Sequence, residues 1–230
     1  MKNKNIFLAF DTSNLKKVKK IISQTQTDEL NIIPKFGLQF FYSKNSRKFL
    51  ENFQSEFFLD VKINDIPQTA LAAVDSLKDL KKCKYITVHV NGGLEMLKAI
   101  TKKAKKINKH LKVLGVTILT SLNDKSLKEI GHTKTVKKLV LQQAELIKKS
   151  GAAGIICSAK EAKIVKKKYK NLFIVTPGIR LPGDNANDQS RVTTPKAAFK
   201  NKVSGIVMGR SLVKGNIKNN IKRLIDHLNQ

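Results

Sequence analysis

Phe57-Phe58-Leu59-Asp60-Val61-Lys62-Ile63-Asn64-Asp65-Ile66-Pro67 is the stretch on which the fold turns. Its first part is dominated by aromatic and branched apolar residues, which suit a strand. Asn64-Asp65 breaks the run, and Pro67 is suited to the first position of a helix, where its missing N–H costs nothing. The stretch therefore reads as a strand over Phe57–Ile63 that hands over to a helix. Side chains alternate along a strand, so Asp60 and Lys62 share one face while Val61 and Ile63 take the other.

Outward from this unit the same pattern recurs in both directions. Short apolar runs fall at Ile6–Phe10, Ile32–Phe36, Tyr85–Val90, Val113–Ile118, Ala153–Cys157, Phe173–Thr176 and Gly205–Met208. Amphipathic stretches separate them, such as Leu15-Val18-Ile21-Ile22 and Val136-Leu139-Val140 with Ile147. About eight strand–helix pairs imply parallel strands joined by crossover helices, and at 230 residues the economical closure is a (β/α)8 TIM barrel, one domain over residues 1–230. Periodicity alone does not separate it from a doubly wound open sheet.

The net charge of +28 is the most conspicuous bulk property, and only five of the basic residues are arginines. The lysines come in helical pairs such as Lys16-Lys17, Lys19-Lys20, Lys102-Lys103 and Lys105-Lys106. No aromatic residues are interleaved with them as base-stacking platforms, so a solvated lysine-rich face is expected rather than a nucleic-acid groove. Its field still steers anionic substrates inward. No apolar run approaches the ~20 residues of a membrane span. Asp11 interrupts the amino-terminal apolar segment before a signal core could form, and a cytoplasmic location is expected. Cys83 and Cys157 lack CxxC spacing and suggest no disulfide framework; Cys157, ending Gly154-Ile155-Ile156, reads as a small core residue.

Strand ends carry the chemistry in such barrels. Lys35, in Ile32-Ile33-Pro34-Lys35-Phe36, lies near the end of strand two beside the strand bearing Asp60. Burying either charge alone costs several kcal/mol, so an ion pair is expected. On spacing alone it is either part of a reactive centre or a plain salt bridge closing the barrel. Strands seven and eight run into Thr176-Pro177-Gly178-Ile179-Arg180 and Met208-Gly209-Arg210-Ser211. Glycine admits an oxyanion close to the backbone, a helix start offers free N–H groups, and arginine chelates phosphate oxygens. The two loops together read as a phosphate site. The long polar connection Leu181–Ser190 between them reads as a lid.

Taken together, these motifs resemble the orotidine 5′-phosphate decarboxylase family over nearly the whole chain. Asp60-Val61-Lys62-Ile63-Asn64-Asp65-Ile66-Pro67-Gln68-Thr69 is similar to the family's Asp-x-Lys-x-x-Asp-Ile-Pro-Asn-Thr signature, and Lys35 to its second-strand lysine. Asp11 resembles the first-strand aspartate that holds the ribose, and Thr120 falls where the family contacts the pyrimidine. Thr-Pro-Gly-Ile-Arg, Asp-Gln-Ser-Arg-Val-Thr-Thr-Pro and Gly-Arg-Ser resemble its phosphate-binding close, which implies binding roles for Arg180, Gln189, Gly209 and Arg210. Asn64 and Gln68 depart from the family's histidine and asparagine but leave the charged residues in place. His89 is expected to be a hydrogen-bonded structural residue.

The resemblance implies a decarboxylation without cofactor or metal, with Lys62 as proton donor to C6 and Asp60 against the departing carboxylate. Lys35 and Asp65 would complete the alternating charges. It implies a nucleotide substrate, and a homodimer in which Asp65 and Thr69 reach the partner's site. Neither membrane nor nucleic acid is an expected partner. Two other readings are open. Sugar-phosphate decarboxylases and synthases of the same superfamily share Asp-x-Lys-x-x-Asp but use magnesium, and they need an acidic ligand on strand two, where this chain has Lys35. A lysine-driven nucleic-acid-binding protein would show steeply salt-dependent binding and would leave Asp60 and Asp65 unexplained.

Overall fold

The computed structural model describes residues 4–184 and 192–230. In chain order the elements are β1 (Asn5–Phe10), α1 (Leu15–Gln24), β2 (Asn31–Phe36), α2 (Leu38–Phe41), α3 (Ser46–Glu51), β3 (Phe57–Ile63), α4 (Pro67–Asp75) and β4 (Cys83–His89). They continue with α5 (Gly93–Ile107), β5 (Lys112–Val116), α6 (Asp124–Glu129), α7 (Val136–Ser150), β6 (Gly154–Ile156), α8 (Ala159–Lys168), β7 (Phe173–Thr176), α9 (Pro195–Lys200), β8 (Gly205–Met208), α10 (Arg210–Val213) and α11 (Ile217–Asn229). Every neighbouring strand pair is parallel, and β1 pairs with both β2 and β8, so the sheet closes on itself as a barrel. That settles the choice between barrel and open sheet.

Local chemistry places the helices. Pro67 opens α4 and Pro195 opens α9, while the side chains of Asn14, Asn123, Thr135, Thr194 and Asn216 each accept from a backbone N–H in the first turn of the helix they precede. In α1 the lysine pairs 16–17 and 19–20 are exposed on either side of buried Val18. Apolar stripes of this kind seal the outer face of the sheet, and the lysines stay in water. Two short helices, α2 and α3, fill the β2–β3 connection, docking Phe40 and Phe49 against Phe36.

Inside the barrel, Phe7, Ile33, Phe58, Tyr85, Leu114 and Val175 form a separate buried layer. Phe7 packs edge-on against both Phe58 and Tyr85, with ring centroids 5.1 Å apart in each pair. At Gly205 on β8 a side chain would start 2.6 Å from the Phe7 ring, so this strand can pass only as glycine. The layer is the floor of whatever lies at the strands' carboxyl ends. Cys83 and Cys157 are both buried. Among the described residues no helix is long and apolar enough to cross a membrane.

Candidate active site

Above the aromatic floor, β2 and β3 project the next inward residues, Lys35 from β2 and Asp60 and Lys62 from β3. Lys35 Nζ lies 2.8 Å from Asp60 Oδ2, and Lys62 Nζ lies 2.9 Å from Asp60 Oδ1. The Lys35 and Asp60 side chains are 7% and 14% exposed, and that of Lys62 is 31% exposed toward the cavity. Burial pushes the Asp60 carboxyl up, but the two ammonium groups outweigh it and hold the group well below the usual carboxylate range. One carboxylate thus sits ionised between two cations, with one of them facing open space.

The backbone beneath this array is irregular. β3 and β4 pair as Phe58↔Tyr85 and Leu59↔Ile86, and then lose register until Ile63↔Val88. Within the bulge Lys62 adopts φ +49, a left-handed conformation rare for a residue with a side chain. Thr87 of β4 reaches into the gap: its Oγ1 lies 2.9 Å from the Lys62 backbone nitrogen and 2.9 Å from Asp60 Oδ1. Sequence reading missed Thr87. The available signal was its parity: Tyr85, Thr87 and His89 alternate on one face of β4, so a polar residue faces inward at the level of Asp60.

A cavity of about 350 Å³ opens over this array. Asp11, Lys35, Asp60, Lys62, Thr120, Arg180, Gly209 and Arg210 all line it. Eight of the residues singled out from sequence are therefore brought to one hollow from the ends of β1, β2, β3, β5, β7 and β8. Gly37 follows β2 beside Asp11 and Lys35, where a Cβ would stand 3.4 Å from Asp11 Oδ1 and 3.6 Å from Lys35 Nζ, in ordinary contact with both. On the far wall Gly178 has φ +76, which lets the chain turn sharply after β7. The Arg180 N–H donates to Thr193 O at 3.1 Å and the Thr193 N–H to Gly178 O at 3.2 Å, tying together the two ends of the connection that follows.

Asp65 and Thr69 are not brought to this cavity. Both are exposed, and Asp65 Oδ1 accepts from the backbone N–H of Ile66 at 2.7 Å. Gln189 and most of the expected lid lie outside the described residues. His89 was expected to be hydrogen-bonded, and its Nδ1, buried with no hydrogen-bond partner, does not supply that bond. Burial and the Lys62 ammonium both lower its pKa, since the ring ends β4 beside a cation rather than an acceptor. Among the described residues no group of three or more His, Cys, Asp or Glu side chains is placed to hold a metal ion.

Residues 4–222 match the model of the orotidine 5′-phosphate decarboxylase / HUMPS family. The chain is 35% identical to an orotidine 5′-phosphate decarboxylase of Ligilactobacillus salivarius, with 99% of this chain and 98% of that protein covered. It is 36% identical to the enzyme of that name from Wolbachia sp. subsp. Brugia malayi over 96% of each. The crystal structure of orotidine 5′-phosphate decarboxylase from Lactobacillus acidophilus superposes with a TM-score of 0.83 at 30% identity, covering 99% of this chain and all of that one. With barrel, cavity and end-to-end sequence likeness in agreement, the chain belongs to the orotidine 5′-phosphate decarboxylase / HUMPS family.

Proposed function

We propose that this protein decarboxylates orotidine 5′-phosphate to uridine 5′-phosphate, in pyrimidine biosynthesis, as one barrel domain. The observation that carries the reading is the Lys35–Asp60–Lys62 array, set in the same cavity as Arg180, Gly209 and Arg210. Loss of carbon dioxide from C6 of the pyrimidine leaves a carbanion with no adjacent electron sink. Fixed charges must then stabilise it. Lys62, held by Asp60 and facing the open space, gives the proton to C6, and Asp60 stands against the departing carboxylate. Lys35 keeps Asp60 ionised. Asp11 takes the ribose, Thr120 the pyrimidine, and Arg180, Gln189, Gly209 and Arg210 the phosphate. Binding energy from that remote end holds the ring over the array.

Exposed Asp65 and Thr69 fit side chains that act in a partner's site, so the working unit is a homodimer. A cytoplasmic location accords with this activity. The magnesium-dependent relatives need an acid beside Asp60 on β2; here the Lys35 ammonium occupies that side, 2.8 Å from the carboxylate, and would repel a divalent cation. The test is the fall in substrate absorbance with orotidine 5′-phosphate, run with and without a chelator. Chelator-insensitive turnover is expected. No turnover, or turnover that the chelator abolishes, overturns the reading.

A further inference from the structure

Thr87 is 1% exposed and does not line the cavity, yet its hydroxyl touches two of the three members of the reactive array, Asp60 and Lys62. From Leu59 to Ile63 β3 spends two more residues than β4 spends from Ile86 to Val88, and ordinary ladder bonds are lost there. The Lys62 N–H, part-buried in this gap, finds Thr87 Oγ1 instead of a carbonyl. A backbone N–H can only donate and an ionised carboxylate can only accept. The direction of the hydroxyl is therefore dictated: its lone pair faces Lys62 N and its proton faces Asp60 Oδ1. Asp60 Oδ1 is also the oxygen that accepts from Lys62 Nζ. The contacts close a ring from the Lys62 backbone through Thr87 and Asp60 back to the Lys62 ammonium.

We propose that Thr87 is a positioning residue for the reaction, holding Lys62 in its left-handed backbone conformation and Asp60 in the orientation that presents the ammonium to the cavity. This rests on the decarboxylase reading above. The ring ties the one strained backbone position in the array to the charge it serves. When the ammonium gives up its proton, the Thr87 hydroxyl remains as a donor to the same Asp60 oxygen, so the carboxylate keeps its place. Thr87 acts through Lys62 and Asp60 and not on the substrate.

The test compares Thr87→Val, which keeps the shape and deletes the hydroxyl, with Thr87→Ser, which keeps the hydroxyl and deletes the methyl. Steady-state kinetics with orotidine 5′-phosphate are measured alongside thermal melting, and the wild-type chain is assayed first. Absence of wild-type turnover sinks the decarboxylase reading itself. Given wild-type turnover, Thr87→Val should lose about ten- to a hundred-fold in kcat, the scale of a hydrogen bond to a charged group, with KM within about threefold of wild type. Thr87→Ser should recover kcat to within about threefold. Should Thr87→Val not fold, Thr87→Ala carries the same expectation. An unchanged kcat in the hydroxyl-less variant, a loss confined to KM, or a serine variant as slow as the valine one overturns the positioning role.

Discussion

The two ends of the cavity are finished in different ways. At the β2–β4 end, Lys35, Asp60, Lys62 and Thr87 hold one another within 2.9 Å before any ligand arrives. At the β7–β8 end, Arg180, Arg210, Lys214 and Arg223 border an adjoining hollow of about 260 Å³, with Asp184 the one acid among its described lining residues. Cations there outnumber the acid. The first end is preorganised for a change of charge during reaction, which is where fixed dipoles help most. The second is built to receive charge brought from outside. On the proposed reading chemistry and grip are separated along one groove, and substitutions at the two ends should fail in different ways.

The largest effect is expected at Lys62. Lys62→Ala removes the cavity-facing cation and should lower kcat by about 10⁴-fold or more, at the upper scale of proton transfer by a positioned group. The protein should remain folded, because this side chain is the most exposed member of the array. Decarboxylation that survives in a folded Lys62→Ala protein would place the chemistry elsewhere. Next comes Asp60→Asn, which leaves two ammonium groups without their counter-charge. It should cost on the order of 10²–10³-fold in kcat, and about 3 kcal/mol of stability for breaking a buried pair.

The pH dependence of that stability loss has a definite sign. The folded pKa of Asp60 lies below its ordinary value of 3.8. Its contribution is therefore fully present above that value and is lost as pH falls through the folded pKa. Urea unfolding of wild type and Asp60→Asn should differ by a constant amount at neutral and mildly acidic pH, and the gap should narrow below pH 3.8. A gap that widens on acidification contradicts the ion-pair account.

Much of the reactive end was legible in sequence, and less of what supports it. The bounds Phe57–Ile63, Phe173–Thr176 and Gly205–Met208 match the observed strands, since each run stops at residues that disfavour extension. Lys35 was paired with Asp60 from its apolar neighbours and the cost of lone burial. The bulge was not legible, because alternation gives parity within one strand and says nothing about register against the next. The φ of Lys62 and the role of Thr87 both follow from that hidden register. α2 and α3 are too short to show a helical period. At the grip end, Arg180, Gly209 and Arg210 stood out as glycine–arginine turns after strands. Arg223 did not, as it sits on α11 and its contacts to Pro182 and Asp184 span about forty residues of sequence.

The grip end should break more gently. Arg210→Ala should lower kcat/KM by about ten- to a hundred-fold, the scale of one charge-assisted hydrogen bond of about 1.5–3 kcal/mol, with kcat falling too because remote binding energy positions the ring. Unchanged kcat/KM would remove phosphate from its assigned place and undo the contrast between the two ends.

The smallest expected effect, at Arg223, tests whether the grip is braced from behind. Its Nη2 lies 3.2 Å from Pro182 O and 3.3 Å from Asp184 Oδ1, so α11 reaches the first residues of the connection after β7. Asn220, one turn earlier on the same helix, donates to Leu212 O at 3.2 Å and Lys214 O at 2.7 Å, just beyond Arg210. The carboxyl-terminal helix therefore holds both loops at once. The arginine and aspartate side chains are 42% and 22% exposed, so water screens the pair and its worth is about 0.2–1 kcal/mol. Arg223→Ala should accordingly raise KM by no more than about fivefold and leave kcat within about twofold. A kcat loss as deep as that of Asp60→Asn would mean that the far helix shapes the reacting charges themselves, and the separation of chemistry from grip would fail.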